Sequence, residues 1–131
     1  MFLFYTTWDS ISQVEFHEIT PNKTDPLISM VDCTLDSNES NTYVRFWRFG
    51  RLCLISWRGI NNTVTGWIIL AKIKNVKLDN KAWFIPTFPP NISYLDDASI
   101  SNEDDDANTL IKLHATSAHT RGAGTAVFFC K

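Results

Sequence analysis

No run of about eighteen apolar residues occurs in the 131-residue chain, which excludes a membrane-spanning helix. Neither charge is in excess. Twelve basic against fourteen acidic side chains leave a net charge of −2, no field that would gather nucleic acid or an anionic bilayer. Neither nucleic-acid binding nor membrane insertion is therefore expected. Glycine and proline are scarce at five each, and no internal repeat, heptad run or low-complexity tract appears. The apolar start Met1-Phe2-Leu3-Phe4-Tyr5 lacks a basic n-region and gives way to Trp8-Asp9, so it is not read as a signal peptide. The three cysteines, Cys33, Cys53 and Cys130, are odd in number, form no C-x-x-C and sit in apolar runs. Buried thiols in a reducing compartment are expected, not a disulfide framework or a metal site. Four N-x-S/T triplets begin at Asn22, Asn38, Asn61 and Asn91 and would be glycan acceptors only in a secreted eukaryotic protein.

What the chain has in quantity is aromatic surface: five Trp, nine Phe and three Tyr. Wide rings suit pleated sheets, although the same rings can serve as stacking platforms for sugars. Thr7–Ile19 fits a short helix or a strand equally, since Val14 and Phe16 alternate. Thr20–Pro26 holds two prolines and reads as a turn or linker, followed by a candidate strand over Leu27–Leu35. From Tyr43 the pattern sharpens. Tyr43–Phe49 and Leu52–Trp57 flank Gly50 as a β-hairpin, and Trp67–Ile73 makes a further strand. Val76–Phe88 closes in Pro89-Pro90, which belongs at an edge or corner. Ile92–Leu95, Ala98–Ser101, Thr109–Leu113 and Ala126–Cys130 complete the strands. Short strands at this spacing predict an all-β fold, a small antiparallel β-barrel or sandwich.

Chemistry-bearing motifs are few. Asp96, Asp97 and Glu103-Asp104-Asp105-Asp106 crowd one region, without the spaced ligands and central glycine of a Ca²⁺ loop, and read as a solvated loop. Acids on one loop are poor candidates for the separated carboxylate pair of a glycosidase. No G-x-S-x-G nucleophile elbow occurs, and His17, His114 and His119 lack metal-ligand spacing. No cofactor and no enzymatic activity are expected. His114 and His119 bracket a polar segment leading into Thr120-Arg121-Gly122-Ala123-Gly124. There the glycines would admit a ligand close to the backbone and Arg121 would hold hydroxyls. A tight turn before the last strand, with Arg121 in an ion pair, explains the same residues equally well.

The segment Thr120-Arg121-Gly122-Ala123-Gly124-Thr125, followed by one short aromatic strand, resembles the C-terminus of receptor-binding protein heads of phages infecting lactic-acid bacteria. Tyr43–Leu52 is similar to the strand–Gly–strand hairpin of many phage tail-tip β-domains. Gly66–Leu70 is similar to their next strand, and Phe84–Pro90 to their proline-bearing corner. The similarity runs from Leu27 to Lys131, as a head domain, with residues 1–26 as an N-terminal extension, linker or added strand.

The resemblance implies a homotrimeric head on the tail tip or baseplate of a virion, in contact with other tail proteins, which binds host cell-wall saccharide without chemistry. Many weak contacts would then combine into avidity. It carries over Arg121 as a saccharide contact. Other positions depart, with Lys112-Leu113 where the family presents a Trp platform and Ser99-Ile100-Ser101 where it shows a His-x-Asp pair. A rebuilt site would draw on Arg121, His119, His114, Trp83 and Asp105, while Trp47, Trp57 and Trp67 are expected on core strands. Three rivals stand beside this reading: a structural trimerising fibre module, a wall-polysaccharide depolymerase, and a eukaryotic-virus fibre head with a protein receptor.

Overall fold

Ten strands and no helix make up the described residues of the computed structural model, 14–38, 40–79, 82–84, 95–101 and 108–131, of which 82–84, 95–98 and 119–121 are described by their backbone alone. In chain order they are β1 (Glu15–Ile19), β2 (Ile28–Met30), β3 (Cys33–Leu35), β4 (Tyr43–Phe49), β5 (Leu52–Asn62), β6 (Gly66–Ile73), β7 (Ala82–Phe84), β8 (Leu95–Ser101), β9 (Thr109–Ala115) and β10 (His119–Phe129). They form two antiparallel sheets, one ordered β1-β4-β5-β10 with β3 also on β5, the other β2-β6-β9-β8-β7.

The hairpin expected around Gly50 is the centre of the first sheet. Phe49 pairs with Leu52, leaving a two-residue turn whose first residue, Gly50, takes φ 59°. Glycine stands first in the hairpin turn that matches strand twist. In β4, Val44 and Phe46 point inward while Tyr43, Arg45 and Trp47 point outward. β5 runs past its expected end to Asn62 and changes phase on the way. Cys53, Ile55 and Trp57 face the core, then Ile60 and Asn62 do. The switch falls at Gly59, whose φ of 73° no ordinary side chain holds comfortably. Here β4 hands over to β3: Tyr43 pairs with Arg58, and Leu35 pairs with Ile60.

One apolar core lies between the sheets. Phe46, Ile55 and Trp57 from the first meet Leu70, Ile111 and Leu113 from the second in a continuous cluster, all essentially without solvent contact. Each such side chain contributes about 1.5–3 kcal/mol by leaving water. Some polar groups drawn inside find partners: the Asn62 amide donates to the Val64 and Ser117 carbonyls, and the Thr109 hydroxyl to that of Val76, whereas the buried Trp57 Nε1 and Ser101 Oγ have none among the described residues.

Several expectations need correction. Of the barrel or sandwich expected, the barrel is not formed, since the two antiparallel sheets do not close on each other. Leu27–Leu35 is two strands in different sheets. At the break, the Val31 and Asp32 amides donate to the Leu70 and Ile69 carbonyls, and Asp32 Oδ2 accepts the Ile69 N–H (2.6 Å). Asp96-Asp97 do not separate two strands, since β8 runs through them. Trp57 is core, but Trp67 is 49% exposed on the outer face of its sheet and Trp47 is half-buried on the outer face of the other. Within the N-terminal extension, β1 is an edge strand paired along β4. Residues 1–13, the corner 85–90 and the acidic run 103–106 lie outside the described residues.

Candidate functional site

A polar cavity of about 330 Å³ opens at the β1–β4 margin of the first sheet. Its floor comes from outward positions of the strands, Glu18 on β1 and Tyr43 and Arg45 on β4. Thr20, Pro21 and Asn22 of the turn after β1 form one wall, and Ser37, Ser40, Asn41 and Thr42 of the β3–β4 loop the other. The first wall is set by Thr20 and Lys23, which exchange backbone hydrogen bonds across the turn. The second is anchored at both ends. Asp36 donates its N–H to the Gly59 carbonyl, and its carboxylate accepts the Asn38 N–H. At the far end Asn41 takes φ 61°, which asparagine tolerates better than most residues, and the buried Thr42 packs onto Gly59. The glycine that shifts the phase of β5 thus also seats the loop over the cavity.

Register assembles the charged centre. Glu18 pairs with Arg45 across the strands, and Arg45 Nε donates to Glu18 Oε2 at 2.5 Å. The Arg45 guanidinium lies over the Tyr43 ring, 3.8 Å from its centroid, because residues i and i+2 share a strand face. Lys23 adds a second cation 3.6 Å from the other Glu18 oxygen. The hydrogen bond from Arg45 holds the Glu18 carboxyl below the usual carboxylate range, outweighing the upward push of burial. On the opposite face of β1, beside the inward Phe46, His17 Nδ1 stands 2.9 Å from Asp25 Oδ2. Burial pushes the Asp25 carboxyl up, but the Leu27 N–H and His17 outweigh it and hold it below its ordinary value. The result is a fixed carboxylate, a flat oriented cation on an aromatic ring, and a rim of hydroxyls and amides. Such a set can trade hydrogen bonds with a polyhydroxylated ligand, and its volume is at the small end of ligand sites.

Of the residues expected to bind saccharide, the backbone places four on three strands. His119 and Arg121 lie on β10 in the first sheet, and His114 and Trp83 on β9 and β7 in the second. Asp105 lies outside the described residues. The segment expected as a turn before the last strand is part of β10 itself, with register irregularities between His119 and Gly122 and between Gly122 and Ala123. Of the five, His114 has a described neighbour of interest. It pairs with Trp67, the indole meeting its ring edge-on at 5.2 Å.

Sequence reasoning missed the cavity. The signal available was local and weak, Tyr43 and Arg45 alternating on one face. Glu18 stands 27 residues from Arg45 and joins it only through the β1–β4 register. Among the described residues, no three His, Cys, Asp or Glu side chains converge as metal ligands. The chain matches no family model, no curated protein and no solved structure.

Proposed function

We propose that this chain is a non-enzymatic, saccharide-binding β-sandwich that serves, as a homotrimer, as the receptor-binding head of a phage tail tip or baseplate. It would attach the virion to host cell-wall polysaccharide. One observation carries the binding part: the cavity in which Glu18, the Arg45 guanidinium over Tyr43, and the loop hydroxyls and amides face one space. Carbohydrate recognition needs oriented donors and acceptors more than apolar depth, and this lining offers both. A depressed Glu18 pKa suits an acceptor of sugar hydroxyls and not a general acid, which needs a raised one. The resemblance of Thr120–Thr125 to phage receptor-binding heads supports the attachment role.

The test is retention on cell-wall polysaccharide from lactic-acid bacteria, with calorimetry on the fragments retained. The native chain should bind without releasing reducing ends. Arg45→Ala should lower affinity at least about tenfold, the cost of removing a charge-assisted contact. If the native chain binds no wall saccharide, or if Arg45→Ala binds as well as the native chain, the reading fails. A purely structural fibre module is favoured by a different observation, an apolar half of the same sheet face, and predicts assembly with no saccharide retained.

A further inference from the structure

The outer face of the first sheet is divided along its cross-strand rows. Next to the polar row Glu18–Arg45–Ser56–Thr125 stands the row Phe16–Trp47–Leu54–Val127, one residue from each of β1, β4, β5 and β10. Beyond it comes Phe49–Leu52–Phe129. Outward positions of a sheet facing water ordinarily alternate to polar residues. Here seven neighbouring ones are apolar. Phe16, Phe49 and Phe129 are 47%, 46% and 59% exposed, and Val127 is 56% exposed. Phe16 is tilted against Trp47 at 5.3 Å, so the row is packed into one surface.

The size of this surface indicates what covers it. Three half-exposed phenyl rings, with the accessible parts of Val127, Leu52, Trp47 and Leu54, amount to about 500 Å² of apolar area, near the top of what a monomer ordinarily leaves in water. A standard interface buries about 800 Å² on each partner, of which roughly 56–65% is apolar, again about 500 Å².

We propose that these two apolar rows are the surface through which copies of this chain pack against one another. The proposal deepens the assembly part of the function above and rests on it only for the number of copies. The saccharide cavity lies in the adjoining polar rows, so packing through the apolar rows leaves it at the margin and open. One sheet face would then divide its labour, assembly at the hairpin end and recognition at the other.

Sedimentation of the full chain over a concentration series tests this, with Val127→Glu and, separately, Phe129→Ser. Both side chains are largely exposed in the single copy, so the variants should keep the native near-ultraviolet spectrum and, compared at a dilution where all are monomeric, the native unfolding midpoint. The native chain should sediment as an oligomer, and each variant should raise its dissociation constant at least about tenfold. Both variants should retain one-site affinity for the wall fragment, so loss of assembly is separable from loss of the sugar site. A native chain that stays monomeric at every concentration overturns the proposal. If deleting residues 1–13 from that monomer makes it bind a hydrophobic dye, the chain's own N-terminus is the cover. An oligomer indifferent to both substitutions places the interface elsewhere and overturns it too.

Discussion

Trp57 fills the space into which a side chain at Gly124 would project. The two are register partners on β5 and β10, and a β-carbon on Gly124 would stand 2.5 Å from Cζ2 and 2.8 Å from Cε2 of the indole. The second glycine of the Arg121–Gly124 segment, open in sequence to a role in admitting a ligand, is therefore required by the core. Gly124→Ala should destabilise the protein by about 2 kcal/mol or more, since a rigid buried ring must shift to admit the methyl group. Urea unfolding followed by tryptophan fluorescence measures it. Thr125→Ala, one residue on and exposed, should stay within about 0.5 kcal/mol.

Gly59 makes a sharper case, because two costs meet there. Its φ of 73° strains any other residue, and an added β-carbon would collide with Thr42 Oγ1. Gly59→Ala should cost about 2–4 kcal/mol, strain and overlap together. The substitution should also weaken binding at the cavity, since Thr42 ends the loop that forms its wall. A variant that lost stability but kept full saccharide affinity would show that the loop is positioned independently of β5.

The two depressed carboxyls give stability a direction in pH. Glu18 and Asp25 ionise more readily folded than unfolded, from ordinary values of 4.5 and 3.8. Their contribution is therefore complete above about pH 4.5 and is lost as pH falls through the lower folded values. Arg45→Met removes the partner of Glu18. It should cost up to about 1 kcal/mol at pH 7, the scale of a partly exposed ion pair, and almost nothing once the carboxyls are protonated. Thermal unfolding at pH 7 and pH 2.5 compares the two conditions. An equal loss at both would assign Arg45 a packing role only.

Burial makes the thiols inert. The Cys33 thiol is pushed up to about 12 by burial, with the Asp32 charge adding to it, and burial raises Cys53 to about 12 as well. At pH 8 the thiolate fraction is then on the order of one in ten thousand. A chromogenic disulfide reagent should find no reactive thiol in the folded protein, and three in urea. Fast reaction of any one in native buffer would mean that strand β3 or the β5–β10 ladder opens locally.

The β-hairpin at Gly50, the strands at Trp67 and Thr109 and the turn at Thr20 were legible in the sequence because they depend on near neighbours: period-two alternation, a glycine between two runs, a proline pair in a polar stretch. The buried thiols were legible for the same reason. Less could be read where two distant segments had to meet. Leu27–Leu35 looks like one strand, and only the Leu70 and Ile69 carbonyls across the molecule divide it. Trp67 reads as core from its apolar run, yet strand orientation turns it outward to His114. The cavity exists because β1 pairs with β4 in the register that sets Glu18 beside Arg45, and a shift of one residue would turn Glu18 to the opposite face. By itself the sequence determined the class of fold, an antiparallel all-β chain with a buried aromatic and aliphatic centre, because alternation and turn chemistry act locally. The tertiary structure alone decided that the two sheets do not close into a barrel, that Gly124 belongs to Trp57, and that one sheet face carries both a polar cavity and an apolar patch. Those outcomes depend on register between strands far apart in the chain, which no local pattern encodes.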